Sequence, residues 1–148
     1  MLITNHVLAG ALIGRASPDP LTAAALGLAS HFAMDALPHW GVDDHDTYLR
    51  VARVDGVTGL LASAAVLLAA PREDRWRIAA GIFGACLPDT DQVAVHFLGR
   101  HIHPAPVNDF HYAIQYEHGW FPQELLMAGG LAWAVGRRWS RTAAARQP

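Results

Sequence analysis

Three side chains that can bind a metal ion recur at a fixed spacing in the segment His31-Phe-Ala-Met-Asp35-Ala-Leu-Pro38-His39. His31, Asp35 and His39 are each four residues apart, so a helix through this segment places them on one face. Burying an imidazole or a carboxylate among apolar residues is unfavourable unless a partner satisfies it. A divalent cation would satisfy all three side chains at once. The spacing therefore predicts a metal site.

One residue before this motif and one after it are further candidates for the metal site, and each also has a purely structural interpretation. His6 lies in an apolar stretch near a predicted helix start, where it is either a ligand or a satisfied helix-end residue. Asp55 opens a predicted helix, where it is either a ligand and bridge between metal ions or an acid stabilised by the helix dipole. For the segment 31–39 the alternative is that His31 and Asp35 hydrogen-bond each other inside the bundle and that His39 lies on the surface.

A second acidic motif and several histidines follow in the C-terminal half. Leu87-Pro-Asp89-Thr-Asp91 places two carboxylates in one turn, where both can face a cation, although Asx hydrogen bonding in a solvated turn is the alternative. His118, beside Glu117, is predicted to be a ligand or a proton donor. The remaining histidines are candidates for ligands, phosphate contacts, proton transfer or surface polarity: His96, His101, His103 and His111.

Composition indicates one helical domain without a nucleic-acid partner. A chain of 148 residues fits a single domain, and its 52% hydrophobic content, rich in Ala and Leu, favours helices over strands. The net charge of −2 provides no basic surface for nucleic acid. The single cysteine, Cys86, excludes an intramolecular disulfide and is interpreted as a small core residue.

Apolar runs separated by prolines and polar turns predict an all-α, up-and-down bundle of about five helices. The predicted helices cover approximately residues 3–15, 21–37, 54–70, 78–87 and 122–139. Residues 41–53 are predicted to be a polar loop, and residues 89–121 are a long segment rich in His, Pro and Asp for which no helix is predicted. Residues 1–139 then form one domain, and residues 140–148 a flexible tail. In an alternating bundle, the candidate His and Asp residues gather at one end and most arginines at the other.

Membrane embedding is also expected. The helix predicted over residues 54–70 carries only Thr58 and Ser63 as polar side chains after its first turn, so it has no solvent-facing side. The longest uncharged stretch, residues 56–71, spans about 24 Å, which is short of the roughly 30 Å hydrocarbon core. Arginine-rich connectors at one end fit the positive-inside rule, which would place the His/Asp end outside the cytoplasm.

The motifs resemble those of bacterial membrane-bound metal-dependent hydrolases. The matching residues are His6, His31-x-x-x-Asp35-x-x-Pro38-His39, Leu87-Pro-Asp89-Thr-Asp91, and His111 or His118. The chain is also distantly similar to the zinc-dependent phospholipase C and single-strand nuclease superfamily, which uses His and Asp ligands on a helical scaffold. Gln92 follows Asp91 where relatives often have His.

This resemblance implies a metal-assisted hydrolase of phosphoesters, with a small molecule or a lipid head group as substrate. It implies Zn²⁺, as one or more ions, and a location in the bacterial inner membrane. His6, His31, Asp35, His39, Asp89, Asp91 and His111 are the expected ligands, and Asp55 and His118 the expected catalytic residues. The alternatives are a non-catalytic metal-binding protein and an ion or proton transporter.

Overall fold

Seven α-helices and one small sheet form the fold over residues 1–144, which are those that the computed structural model describes (side chains through residue 139). In chain order they are α1 (Ile3–Ala16), α2 (Pro20–Asp35), β1 (Pro38–Trp40), α3 (His45–Ala69), α4 (Arg75–Cys86), α5 (Thr90–Leu98), α6 (Ala105–Ile114), β2 (Tyr116–His118) and α7 (Pro122–Ala144). The predicted all-α class is confirmed.

Close backbone packing joins α1, α2 and α4 in the centre of the molecule. A Cβ atom added at Gly10 would lie 2.5 Å from the carbonyl oxygen of Gly81, and one at Gly84 would overlap the carbonyl oxygen of Ala24. Only glycine permits helices to approach this closely. Helix α1 also contacts α3 and α7, and the buried apolar core lies between these helices.

Helix α3 begins earlier than the sequence predicts. Asp44 supplies the N-cap, because its side chain accepts a hydrogen bond from the amide of Thr47 at 2.9 Å. The helix therefore starts at His45 and not at residue 54, and the predicted irregular segment 41–53 is wrong from His45 onward. The polar side chains of residues 45–53 made this part of the helix look like a loop in the sequence.

The segment 89–121 is more ordered than predicted. It contains α5 and α6, so the prediction of about five helices is too low. Gly99 ends α5 in the left-handed conformation, with φ of 66°. β1 and β2 then pair in parallel, with His39 opposite Glu117. Neither strand is predicted from sequence, because three-residue strands have no detectable periodicity.

The last helix is longer than predicted. Helix α7 continues to Ala144, five residues beyond its predicted end, and residues 145–148 of the predicted tail lie outside the described residues.

Within the described chain, α3 alone is long and apolar enough to cross a membrane, by length and composition only. A single such helix is weak evidence for a membrane protein.

Candidate metal centre

Four potential ligands converge between the end of α2, the start of α5 and the end of α6. They are His31, Asp35, Asp89 and His111, and one ligand atom of each lies within 4.8 Å of the others. His31 and Asp35 face the same way because they are one helical turn apart on α2. Asp89 and His111 come from segments 22 residues apart, which the loop between α5 and α6 brings together.

The distances within this cluster suit a shared cation. His31 Nε2 lies 3.1 Å from Asp35 Oδ2 and 3.0 Å from His111 Nε2. His111 Nε2 is 2.9 Å from the same Asp35 oxygen, and Asp89 Oδ1 is 3.8 Å from both ring nitrogens. Tetrahedral coordination at zinc–ligand distances near 2.0–2.1 Å separates the ligand atoms by about 3.3 Å. The four residues therefore fit a divalent metal ion.

The orientation of His31 supports the same conclusion. Its Nδ1 atom lies 2.7 Å from the carbonyl oxygen of Ala85 on α4. A carbonyl oxygen only accepts hydrogen bonds, so Nδ1 carries the hydrogen and Nε2 presents its lone pair to the cluster when the ring is neutral. This arrangement is common for histidines that bind metals, because the backbone contact fixes both the tautomer and the ring plane.

Asp35 is fully buried and ionised. Burial opposes ionisation, but contacts with His111, His31 and His6 outweigh it and hold the pKa of Asp35 far below its usual range. Its Oδ2 atom faces His31 and His111, whereas Oδ1 lies 3.1 Å from His6 Nε2 and 2.9 Å from the Met1 nitrogen. The two oxygens of this carboxylate therefore have separate partners.

His6 contacts the cluster without being one of its four members. Its ring stacks on His31 with centroids 4.1 Å apart. Burial lowers the pKa of His6 and outweighs the contact with Asp35, so the ring is neutral. Neutral His6 donates from Nε2 to Asp35 Oδ1, and its buried Nδ1 has no hydrogen-bond partner among the described residues. His6 thus fixes Asp35 from the side opposite Oδ2.

His39 lies outside the cluster, in strand β1, and is 1% exposed. Its Nδ1 donates to the carbonyl oxygen of Leu37 at 2.9 Å. Its Nε2 is buried and has no hydrogen-bond partner in the part of the chain that the structure describes. The ring therefore presents an unused lone pair in the interior, which keeps its candidacy as a ligand open.

Two predicted site carboxylates hold backbone segments instead. Asp55 binds the first turn of α1, accepting from the amides of Ile3 at 2.5 Å and Thr4 at 3.3 Å. Asp91 accepts from the amides of Ile102 at 2.7 Å and His103 at 2.9 Å, in the loop between α5 and α6. Neither belongs to the four-residue cluster.

Asp91 also contacts His101, whose Nδ1 lies 2.5 Å from Oδ2. Burial would raise the pKa of Asp91, but this contact and the two backbone amides outweigh it and lower the pKa below its usual range. His103 Nε2 lies 3.1 Å from the hydroxyl oxygen of Thr90. These two histidines therefore help to hold the α5–α6 loop, while His96 is exposed on α5.

His118, the predicted proton donor, lies in β2 and accepts a hydrogen bond from the amide of Trp120 through Nδ1, at 3.1 Å. It is not a member of the four-residue cluster. Sequence patterns gave no indication of Glu124, which is buried at the start of α7 and accepts hydrogen bonds from β1 and from the start of α1. A glutamate in a first helical turn is ordinary, so no sequence signal marked it.

No protein-family model matches this chain, and neither the curated proteins nor the solved structures gave a match. The resemblance to membrane-bound metal-dependent hydrolases therefore depends on the motifs alone. The class that the fold and site define is a helical protein with a His/Asp cluster that can hold a metal ion.

Proposed function

We propose that this protein is a metal-dependent hydrolase of phosphoesters, with Zn²⁺ held by His31, Asp35, Asp89 and His111. The observation that carries the proposal is the convergence of two imidazoles and two carboxylates on one point. Imidazole nitrogens suit zinc, and carboxylate oxygens complete common catalytic ligand sets. When bound, the metal would supply a water acidified to a pKa near 7 and polarise the phosphoryl oxygen.

Access to the cluster supports catalysis. Asp89 is 23% exposed in its side chain, whereas the side chains of His31, Asp35 and His111 are 0 to 3% exposed. Solvent and substrate would therefore approach from the Asp89 side. Asp35, His31 and His111 would form the buried wall, and Asp89 would lie next to the reacting group. A catalytic zinc site needs a coordination position for water or substrate, and we propose that this ligand would enter from the exposed side of Asp89.

A membrane-associated lipid phosphoester is the substrate that we favour within this class. Helix α3 has the length and composition to cross a bilayer, and only 11% of its most apolar window is buried. We propose a location in the bacterial inner membrane, with the His/Asp end on the extracytoplasmic side. The arginines paired with aromatic rings, Arg15 on Trp139 and Arg137 on Trp133, fit the opposite interface.

A non-catalytic metal-binding protein, or one that conducts ions or protons, is the second candidate. The observation in its favour is that three of the four cluster residues are almost completely buried, which would suit a closed site that stabilises the fold. Such a protein would bind the same metal without hydrolysing phosphoesters. Metal content and hydrolysis therefore have to be measured on the same preparation.

Metal analysis of the purified full chain is the first test. We expect stoichiometric zinc in the wild type and its loss in Asp35→Ala and His111→Ala, with His96→Ala as a control because His96 is an exposed histidine outside the cluster. Removing one ligand should also lower hydrolysis of bis(p-nitrophenyl) phosphate or of phospholipid vesicles by about 100-fold, since losing even a hydrogen-bond partner of a ligand costs roughly 10- to 100-fold. A metal-free wild type would contradict the proposal, and zinc without hydrolysis of any phosphoester would favour the second candidate.

The same measurement addresses a further ion. His39 presents a buried Nε2 and His6 a buried Nδ1 without hydrogen-bond partners among the described residues, so both stay candidate ligands for additional zinc. Two ions per chain in the wild type and one in His39→Ala would support this. Equal zinc content in the two proteins would limit the centre to the four-residue cluster.

A further inference from the structure

Glu124, the one acidic residue of α7, is buried, with 1% of its surface exposed. It has no cationic partner among the described residues; its contacts are all uncharged hydrogen-bond donors. Oε1 accepts from the amide of Trp40 at 2.9 Å, and Oε2 accepts from the amide of Leu2 at 3.2 Å and from Asn5 Nδ2 at 2.7 Å. Burying a polar side chain is costly, and these three hydrogen bonds offset that cost.

The three donors belong to two segments that flank the metal centre. Trp40 follows His39 in β1, and Leu2 and Asn5 form the start of α1, directly before His6. Helix α7 and strand β1 also contact each other through Gln123, whose side-chain amide donates to the carbonyl oxygen of Pro38. Glu124 is therefore a single point at which α1, β1 and α7 meet.

The first turn of α1 has a second attachment that differs from this one. Asp55 of α3 accepts from Ile3 and Thr4, so it binds α1 to α3 alone. Glu124 binds the same turn and also binds β1, which carries His39. The side chain of Glu124 thus joins the start of α1, which carries His6, to the strand that follows α2.

The consequence for the metal centre passes through His6. His6 Nε2 donates to Asp35 Oδ1, because a carboxylate oxygen only accepts, and this leaves Oδ2 facing His31 and His111. If the start of α1 shifts, this hydrogen bond lengthens and the carboxylate can rotate. A ligand that rotates binds metal more weakly, because hydrogen bonds to ligands fix their orientation.

We propose that Glu124 is a positioning residue for the metal centre, holding α1 and β1 so that His6 fixes the orientation of the ligand Asp35. This inference rests on the proposed metal site and names a residue that acts on it without touching the metal. Both side-chain oxygens of Glu124 accept hydrogen bonds, which a carboxylate can do without rearrangement. Glutamine would place its NH₂ group against an N–H donor of Trp40, Leu2 or Asn5.

The test is the zinc affinity of the full chain, measured by competition with a chromophoric chelator. We expect Glu124→Gln to weaken zinc binding roughly 10- to 100-fold, the range seen when hydrogen-bond partners of metal ligands are removed. Glu124→Asp keeps the charge and should restore part of the affinity. Asp19→Ala is the matched control, because it removes a carboxylate that caps α2 far from the centre in the chain. It should lower the melting temperature and leave zinc affinity unchanged.

Each outcome bears on the inference. Zinc affinity in Glu124→Gln equal to that of the wild type overturns it while the proposed metal site stands. Equal losses of affinity in Glu124→Gln and Asp19→Ala overturn it too, since general destabilisation would then be the cause. A wild type without zinc overturns both proposals. If Glu124→Gln does not fold, Asn5→Ala removes one of the three donors, and an unchanged affinity in that variant overturns the inference.

Discussion

The carboxylates of this molecule differ in what they contact, and the contacts decide which of them can bind a cation. Asp35 and Asp89 face imidazole nitrogens that can share a metal. Asp55, Asp91 and Glu124 instead accept hydrogen bonds from backbone amides and side chains. A carboxylate whose oxygens already accept strong hydrogen bonds has less capacity to act as a ligand.

Asp89 and Asp91 allow this distinction to be tested within one turn. We expect Asp89→Asn to lower zinc content, because Asp89 Oδ1 faces His31 and His111. We expect Asp91→Asn to keep the zinc content of the wild type and to lower the free energy of unfolding by about 2 kcal/mol, through the lost hydrogen bonds to a charged acceptor. Metal analysis and urea unfolding measure both. Loss of zinc from folded Asp91→Asn would show that Asp91 is a ligand after all.

The residues of this site were predictable to different extents. His31 and Asp35 follow from helical spacing, which brings residues four apart together. Asp89 and Asp91 look equivalent in sequence, and only the fold of the α5–α6 loop separates their contacts. Glu124 could not be found, since its role arises from segments more than 80 residues away in the chain.

Among the elements, the central helices were predictable and the segments around the site were not. Apolar runs and prolines located α1, α2, α4 and α7 to within a few residues. Polar side chains in the first part of α3 and around α5 and α6 resemble loop sequence. Asp44 nevertheless caps α3, and Asp91 at the start of α5 binds backbone amides of the following loop. Composition alone does not show such hydrogen bonds, so it predicts these segments poorly.

Glycine substitutions test the packing of these helices. Gly84→Ala would place a methyl group on the backbone of Ala24, so we expect a loss of about 1–3 kcal/mol or more in unfolding free energy. Gly130→Ala, in α7, is the control, since a Cβ atom added there has no neighbouring atom within 4 Å. Alanine's helix propensity should make that variant more stable, by about 0.5–1 kcal/mol. Thermal unfolding followed by circular dichroism measures both. Two variants of equal stability would contradict the backbone contact between α2 and α4.

The surface of the whole molecule carries many large apolar side chains. On α3, Leu60 is 74% exposed and Leu68 is 75% exposed, and on α4 Trp76 is 80% exposed. On α3 the exposed residues Val57, Leu60 and Leu61 are spaced as neighbours on one helix face, and contiguous apolar surface is typical of interaction or membrane surfaces. Helices α1, α2 and α4 bury glycines against each other, whereas α3 and α7 leave leucines such as Leu60 and Leu126 outward.

The membrane proposal predicts how the full chain partitions. We expect the wild type to stay in the membrane fraction after washing with high salt and alkaline carbonate, because the exposed face of α3 would contact lipid. Leu60→Gln combined with Leu61→Gln should reduce that retention, since polar groups in hydrocarbon are unfavourable. Leu21→Gln is the matched control, because Leu21 is 81% exposed but lies at the start of α2. A wild type that is released by the wash and is monodisperse without detergent would contradict membrane association, and equal effects of the two substitutions would contradict the role of α3.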